Sequence, residues 1–256
     1  MPKTEKPNYV EISQEYLNGF SVKHLFLKYK IKERTLRSNF EKLNIKKYQR
    51  SYGIFSTFNS TECYWAGFLA ADGCVYENRI ILELQIKDLN HLNKYSSFVG
   101  GHNKITIKKN SCLFRFRSSE VGLNLKENFN IIPNKTFYGV KPPDKIPNNE
   151  IRHFIRGYID GDGSIFWFGT LRLKITSSLL EILEWFNSIF SNKFNLNSRK
   201  LNLYKGVYNL VYSGQDAINI LEWIYKGTNL YLDRKYYNFL KYKEKYILNK
   251  VLNDIS

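Results

Sequence analysis

Strict alternation of apolar and polar residues marks several strands in this chain. In "RIILELQI", Ile80, Leu82, Leu84 and Ile86 fall on one face and Arg79, Ile81, Glu83 and Gln85 on the other, the period of a strand with one wet side. "KITIKKNSCLFRFRS" reads as a hairpin turning at Asn110 and Ser111. In it Lys104, Thr106 and Lys108 oppose Ile105 and Ile107, while Arg115 and Arg117 oppose Phe114 and Phe116. "SIFWFGTLRLKIT" predicts another hairpin, with Arg172 and Lys174 opposite Leu171, Leu173 and Ile175, and "KLNLYKGVYNLVYS" a further one carrying Lys200 and Asn202.

Helical spacing separates these hairpins. Asn59 and Glu62 have capping-box spacing, so a helix is expected from about Ser60 through "TECYWAGFLAA" to a stop at Gly73. Residues 89–99 and 119–129 follow as helices. "IRHFIRGYIDG", "LLEILEWFNSIF" and "DAINILEWIYKG" then occupy the same places around the later hairpins. The order helix-strand-strand-helix-strand-strand-helix thus occurs twice, with Asp72 and Asp162 90 residues apart. A period this long marks a duplicated subdomain rather than a solenoid unit. The fold class expected is α+β: two pseudo-symmetric αββαββα repeats behind a small helical N-terminal domain. The expected organisation is 1–52 helical, 53–140 first repeat, 141–150 a proline-containing linker, and 151–256 second repeat.

In the N-terminal block, Gly19 and Ser21 punctuate one junction and "KIKE" a second. Leu36, Phe40 and Leu43 share one face of a third helix, and Arg34, Thr35, Arg37 and Ser38 lie at its polar start. Two short helices joined by a turn, the second opening on Arg, Thr and Ser, suit a helix-turn-helix reader of the DNA major groove. A small bundle used for packing has the same pattern.

Charge narrows the partner. Thirty-nine Lys and Arg face 23 Asp and Glu, a formal net charge of +16, with a pI near 9.6. Such an excess favours a polyanion, through counterion release. AT-rich codons explain part of the lysine surplus but not its alternation with apolar residues along the strands. No run of 18 apolar residues predicts a membrane span, and no basic amphipathic helix predicts a membrane surface. Three unpaired cysteines and four scattered histidines favour neither a disulfide framework nor a zinc site. An intracellular, reducing compartment with DNA is expected, in a bacterium, a phage-infected cell or an organelle.

"FIRGYIDGDGSI" raises a physical question. Glycine costs about 1 kcal/mol against alanine inside a helix, and an aspartate meets the wrong end of the dipole at a helix C-terminus. "YWAGFLAADGCV" repeats both penalties. Gly67 and Ala71, like Gly157 and Gly161, are four apart, a small-residue stripe that lets two helix backbones touch. Packed together, the stripes bring Asp72 and Asp162 to one junction. Two carboxylates there suit a hard divalent cation held by carboxylate, phosphate oxygen and water.

"WAGFLAADG" and "IRGYIDGDG" resemble the two motifs of single-chain LAGLIDADG homing endonucleases, the likeness extending over about residues 60–245 through "IIPNKTF" and "YLDRKYYNFLKY". The resemblance implies two half-sheets forming a saddle over a long double-stranded DNA target. It also implies a monomer and Mg²⁺ as cofactor, with Mn²⁺ or Ca²⁺ substituting in binding. It assigns the metal to Asp72 and Asp162, with Ala71 and Gly161 beside them. Lys135 and Lys235 match the lysines that support the transition state, and Gln85 and Lys174 those polar residues that orient water. Glu83, Gln85, Lys104, Thr106, Lys108, Arg115, Arg117, Arg172, Lys174, Lys200 and Asn202 are expected to face DNA, with Arg34, Thr35, Arg37 and Ser38 adding contacts. At the sixth motif letter the repeats differ, Ala70 against Asp160, and Asp160 reads as structural. The reaction implied is metal-dependent cleavage of both strands, promoting mobility of a host intron or gene. A maturase acting on RNA, or a DNA-binding regulator, is the alternative on the same scaffold.

Overall fold

The computed structural model describes residues 7–17, 22–45, 53–76, 78–100, 103–133 and 140–255. They fall into two compact units, residues 1–52 with 96–104, and residues 53–95 with 105–256.

In the first unit, α1 (Tyr9–Leu17), α2 (Val22–Tyr29) and α3 (Glu33–Lys42) follow in order. Ile12, Tyr16, Val22, Leu25, Leu36 and Phe40 form their common core, with the rings of Tyr16 and Phe40 stacked at 4.7 Å. Three residues separate α2 from α3, and Lys30 makes the turn at φ +54°. Leu43 does not join the buried face: it caps α3 and is 41% exposed. Gly19 and Ser21 lie outside the described residues.

The second unit contains both repeats except residues 96–104, the end of one helix of the first repeat and the residues after it, which group with the first unit. The first repeat runs α4 (Ser60–Ala71), β1 (Gly73–Tyr76), β2 (Arg79–Gln85), α5 (Leu89–Phe98), β3 (Thr106–Ile107), β4 (Ser111–Arg117) and α6 (Ser119–Phe129). The second runs α7 (Ile151–Asp162), β5 (Gly163–Phe168), β6 (Thr170–Ser177), α8 (Leu180–Phe194), β7 (Asn202–Tyr204), β8 (Val207–Ser213) and α9 (Gly214–Tyr225). A long last helix, α10 (Asp233–Ile255), has no counterpart in the expected plan. Each repeat builds one antiparallel four-stranded sheet, ordered β1-β2-β4-β3 and β5-β6-β8-β7.

Each sheet is apolar on one face. Ile80, Leu82 and Leu84 are buried with Cys112 and Phe114; Leu171, Leu173 and Ile175 are buried with Leu210 and Tyr212. Aromatic contacts join helices to sheets, Trp65 to Tyr95 and Tyr95 to Phe114 in the first repeat, Phe186 to Phe190 and Phe190 to Tyr212 in the second. Ile86 leaves the predicted strand: it opens a 3-10 turn (Ile86–Asp88) that seats buried Asp88 against Arg234 with both oxygens at 3.0 Å. Ile107 is 63% exposed because β3 pairs for only two residues at the sheet edge. Ser111 belongs to β4 rather than the turn, which Lys108 closes by donating its N–H to the Ser111 carbonyl at 2.8 Å.

Asn59 caps α4 as its position predicts, accepting from the backbone N–H groups of Thr61 and Glu62. Glu62 does not complete a capping box. Its Oε2 accepts instead from the N–H and hydroxyl of Thr57, which ties the entering loop to the helix.

Candidate functional site

Helices α4 and α7 touch through their backbones. A Cβ on Gly67 would fall inside the carbonyl of Phe154, and one on Gly157 inside the carbonyl of Tyr64. The reciprocal fit sets the two helices level. One turn further on, Ala71 abuts Gly161, and Asp72 Oδ2 lies 3.5 Å from where a Gly161 Cβ would stand. Asp72 is the C-cap of α4, and Asp162 is the last residue of α7. The carboxylate of one motif therefore sits against the other motif, one residue before its acid.

Lys235 completes the junction. It is 5% exposed, and its ammonium donates to the carbonyls of Ile159 at 2.9 Å and Gly161 at 2.5 Å. Burial lowers its pKa to about 8, against the favourable fields of Asp160, Asp72 and Asp162. Asp72 and Asp162 also both oppose ionisation of the Tyr158 hydroxyl, whose pKa burial raises well above the usual phenol value. The two acids thus act on the same lysine and the same tyrosine, one on each side of the contact.

Asp160 is completely buried, in keeping with a structural reading. It accepts from Tyr64 Oη at 2.8 Å, Tyr225 Oη at 2.6 Å and the N–H of Leu232 at 2.8 Å. Burial raises its pKa, and these donors together with Lys235 pull it back. Next to it Arg156, 1% exposed, spends its guanidinium on the carbonyls of Leu230 and Ile224 and on His153 Nδ1. Nothing in the amino-acid pattern pointed to this network, because its members come from α4, α7, α9 and the approach to α10.

The other expected residues separate into clear groups. Glu83, Gln85, Thr106, Arg115 and Arg117 share the face of the first sheet turned away from its apolar side, by strand register. Glu83 is held there by Lys108 Nζ at 2.8 Å and Ser111 Oγ at 2.6 Å, while Lys104 and Lys108 are exposed just outside the strands. Arg172, Lys174 and Asn202 share the corresponding face of the second sheet, and Lys200 is exposed before β7. Arg34, Thr35, Arg37 and Ser38 are exposed on α3, with Arg37 3.4 Å from Glu33. Lys135 lies outside the described residues.

Gln85 and Lys174 are not equivalent. Gly73 pairs with Leu82 and Gly163 with Ile175, so the second hairpin is three residues longer. By that register Lys174, which faces Ser164, corresponds to Ile81, which faces Cys74. Arg79 was passed over as an interface residue although the alternation already set it on the wet face. It stands beside Tyr76 and pairs with Arg117.

The donor set suits a divalent cation. Two carboxylates at the carbonyl ends of adjacent helices gather negative charge, and the Lys235 ammonium is already committed to two carbonyls. Among the described residues no three His, Cys, Asp or Glu gather to hold a metal by themselves. A hard cation here would complete its shell with phosphate oxygens and water.

Residues 149–225 match the family model of a LAGLIDADG-like domain, and the two-repeat part of the chain has the fold of LAGLIDADG homing endonucleases. The structure is similar to that of I-GzeII in complex with its DNA target (TM-score 0.56, 13% identity, covering 78% of this chain and 94% of that one). It is similar also to I-CpaMI bound to uncleaved DNA (0.54, 17%, 78% and 95%). A third likeness is to I-SmaMI bound to uncleaved DNA in the presence of calcium ions (0.51, 13%, 78% and 94%). No curated protein sequence matches the chain.

Proposed function

We infer that this protein is a site-specific, metal-dependent DNA endonuclease that acts as a monomer, cuts both strands of a long target and promotes mobility of its host intron or gene. The observation that carries this reading is the packing of Ala71 against Gly161 with Asp72 beside it, which brings the acids of two repeats of one chain to a single junction. Asp72 and Asp162, flanked by Ala71 and Gly161, would hold Mg²⁺, which supplies Lewis-acid polarisation of a phosphate and a more acidic water. Lys235 supports the charge that develops at the scissile phosphate, and Lys135 is assigned the same role in the first repeat. Gln85 and Lys174 orient water and neighbouring phosphates.

The polar sheet faces provide the DNA contacts. Arg115, Arg117, Arg172 and Lys174 offer donors to guanine edges and phosphates, and Gln85 and Asn202 to adenine. Exposed Arg34, Thr35, Arg37 and Ser38 on α3 extend the footprint through the first unit.

The test is incubation with a supercoiled plasmid carrying the rejoined sequences that flank the open reading frame. Linear product with Mg²⁺ and intact plasmid with EDTA is the expected result. Binding of that plasmid without any cutting, with Mg²⁺ or Mn²⁺ present, would overturn the nuclease reading in favour of a binding scaffold.

A further inference from the structure

Among the buried positions at which the two motif helices differ, one stands two residues before each acid. In α7 it is Asp160; 90 residues earlier, in α4, it is Ala70, whose methyl group accepts no hydrogen bond. Asp160 Oδ2 receives the Leu232 N–H, and the Leu232 carbonyl in turn accepts the N–H groups of Lys235 and Tyr236 that open α10. Lys235 then reaches back to the carbonyls of Ile159 and Gly161, the residues on either side of Asp160. The chain is closed on itself: the acid fixes the start of α10, and the lysine of α10 fixes the end of α7, where Asp162 stands. Tyr64 and Tyr225 hold the acid from the other repeat's motif helix and from α9.

We propose that Asp160 is a positioning residue that sets Lys235 in the second half of the site, making cleavage of the two strands unequal. The proposal rests on the endonuclease reading above. A buried acid accepting three hydrogen bonds has one arrangement available, since leaving any donor unpaired in the interior costs more than the bond itself returns. Without that acid, the Leu232 N–H loses its acceptor, and the segment keeps its place through the buried Leu232 side chain and the loop around it. A lysine displaced by an ångström at the reacting phosphate loses on the order of 100-fold in rate.

The experiment uses the full chain, a target duplex labelled on either strand, and four variants: Lys235→Met, Asp160→Asn, Tyr225→Phe and the double variant Asp160→Asn/Lys235→Met. Single-turnover rates are read for each strand, beside DNA affinity in EDTA and the unfolding midpoint. Expected is that Asp160→Asn slows the strand that Lys235→Met slows, by about 10-fold to 100-fold, with affinity unchanged. Tyr225→Phe should slow the same strand by less, and the double variant should be no slower than Lys235→Met alone, as for two residues acting as one unit. Equal slowing of both strands, or multiplied effects in the double variant, would overturn the proposal. Amide exchange of the segment 228–236, measured without DNA, decides the lock separately: faster exchange in Asp160→Asn supports it, and unchanged exchange refutes it. A wild-type protein that does not cut would defeat the endonuclease reading, while the exchange measurement would still judge Asp160.

Discussion

Gly67 of one repeat lies so close to Phe154 of the other that a single added methyl would overlap the Phe154 carbonyl. Helix propensity alone would favour alanine at this position by about 1 kcal/mol. The obstacle, however, is backbone, which no rotamer change relieves, and Gly157 meets the Tyr64 carbonyl equally closely, so the helices can make room only by separating along their shared contact. Gly67→Ala and Gly157→Ala are each expected to destabilise the protein by about 1–3 kcal/mol through overpacking. Urea unfolding checks this, the midpoint falling with little change in slope. A variant as stable as the parent would mean that the motif helices are not held at backbone contact.

The same crossing explains why Asp72 and Asp162 end up together, and it makes their substitution informative. Asp72→Asn and Asp162→Asn keep the shape of each side chain while removing half of the paired negative charge. Each is expected to lower cleavage by about 10²-fold to 10³-fold, the order lost when a main electrostatic group is removed, and to leave DNA binding in place. Plasmid cleavage read beside a gel-shift titration separates the two. Loss of binding together with cutting would make these acids part of the scaffold.

Much of this arrangement was legible in the amino-acid pattern, for physical reasons. Alternation reports burial directly, so Ile80, Leu82 and Leu84 were assigned to the core face that they occupy. The glycine stripe is steric, and steric rules carry over from sequence to helix contact without a tertiary context. The pattern erred where a distant partner decides the local geometry. Ile86 keeps the alternation yet leaves the strand because the turn it opens carries Asp88 to Arg234, a residue 146 positions away. The Asp160 network was invisible for the same reason, its donors coming from residues 64, 225 and 232. Helix α10 was missed as a helix because its tyrosines and lysines present no clean apolar stripe; Leu240, Ile247, Leu248 and Leu252 are all exposed.

Two buried histidines predict how stability responds to mild acid. His91 is enclosed by Trp65 and Phe68 and bonded to Tyr64; burial, with Lys94, Arg234 and Lys235 opposing the proton and Asp233 favouring it, lowers its pKa to about 3. Burial, then Arg156 and Arg152, lowers that of His153 to about 4. Between pH 6.5 and these values the unfolded chain binds protons that the folded chain refuses, so stability is full above pH about 6.5 and falls as pH drops. Each histidine accounts for at most about 1.4 kcal/mol per pH unit in that window. Unfolding free energies at pH 7, 6 and 5 should decline accordingly, and the decline should be shallower in His91→Gln. A slope that is the same in parent and variant would show that His91 is protonated in the folded protein.

The polar sheet faces lead to a prediction about salt. Arg115 and Arg117 share one face of the first sheet, and Arg172 and Lys174 that of the second. If each contacts a phosphate, each releases close to one counterion on binding, and the logarithm of the binding constant falls with the logarithm of salt in proportion to their number. Replacing any one by glutamine should weaken binding across all sequences and reduce that slope by about 1. A residue that reads a guanine instead should relax selectivity at one base pair and cost about 1–3 kcal/mol against the preferred base. Arg172 is the candidate for the second behaviour, because its guanidinium rests 4.8 Å from the Phe168 ring centroid and its Nε has no partner, a preorganised fork rather than a mobile point charge. Titrations of Arg117→Gln and Arg172→Gln at three salt concentrations, on target and scrambled duplexes, distinguish the two roles. If neither variant alters affinity, slope or selectivity, DNA does not lie along these faces.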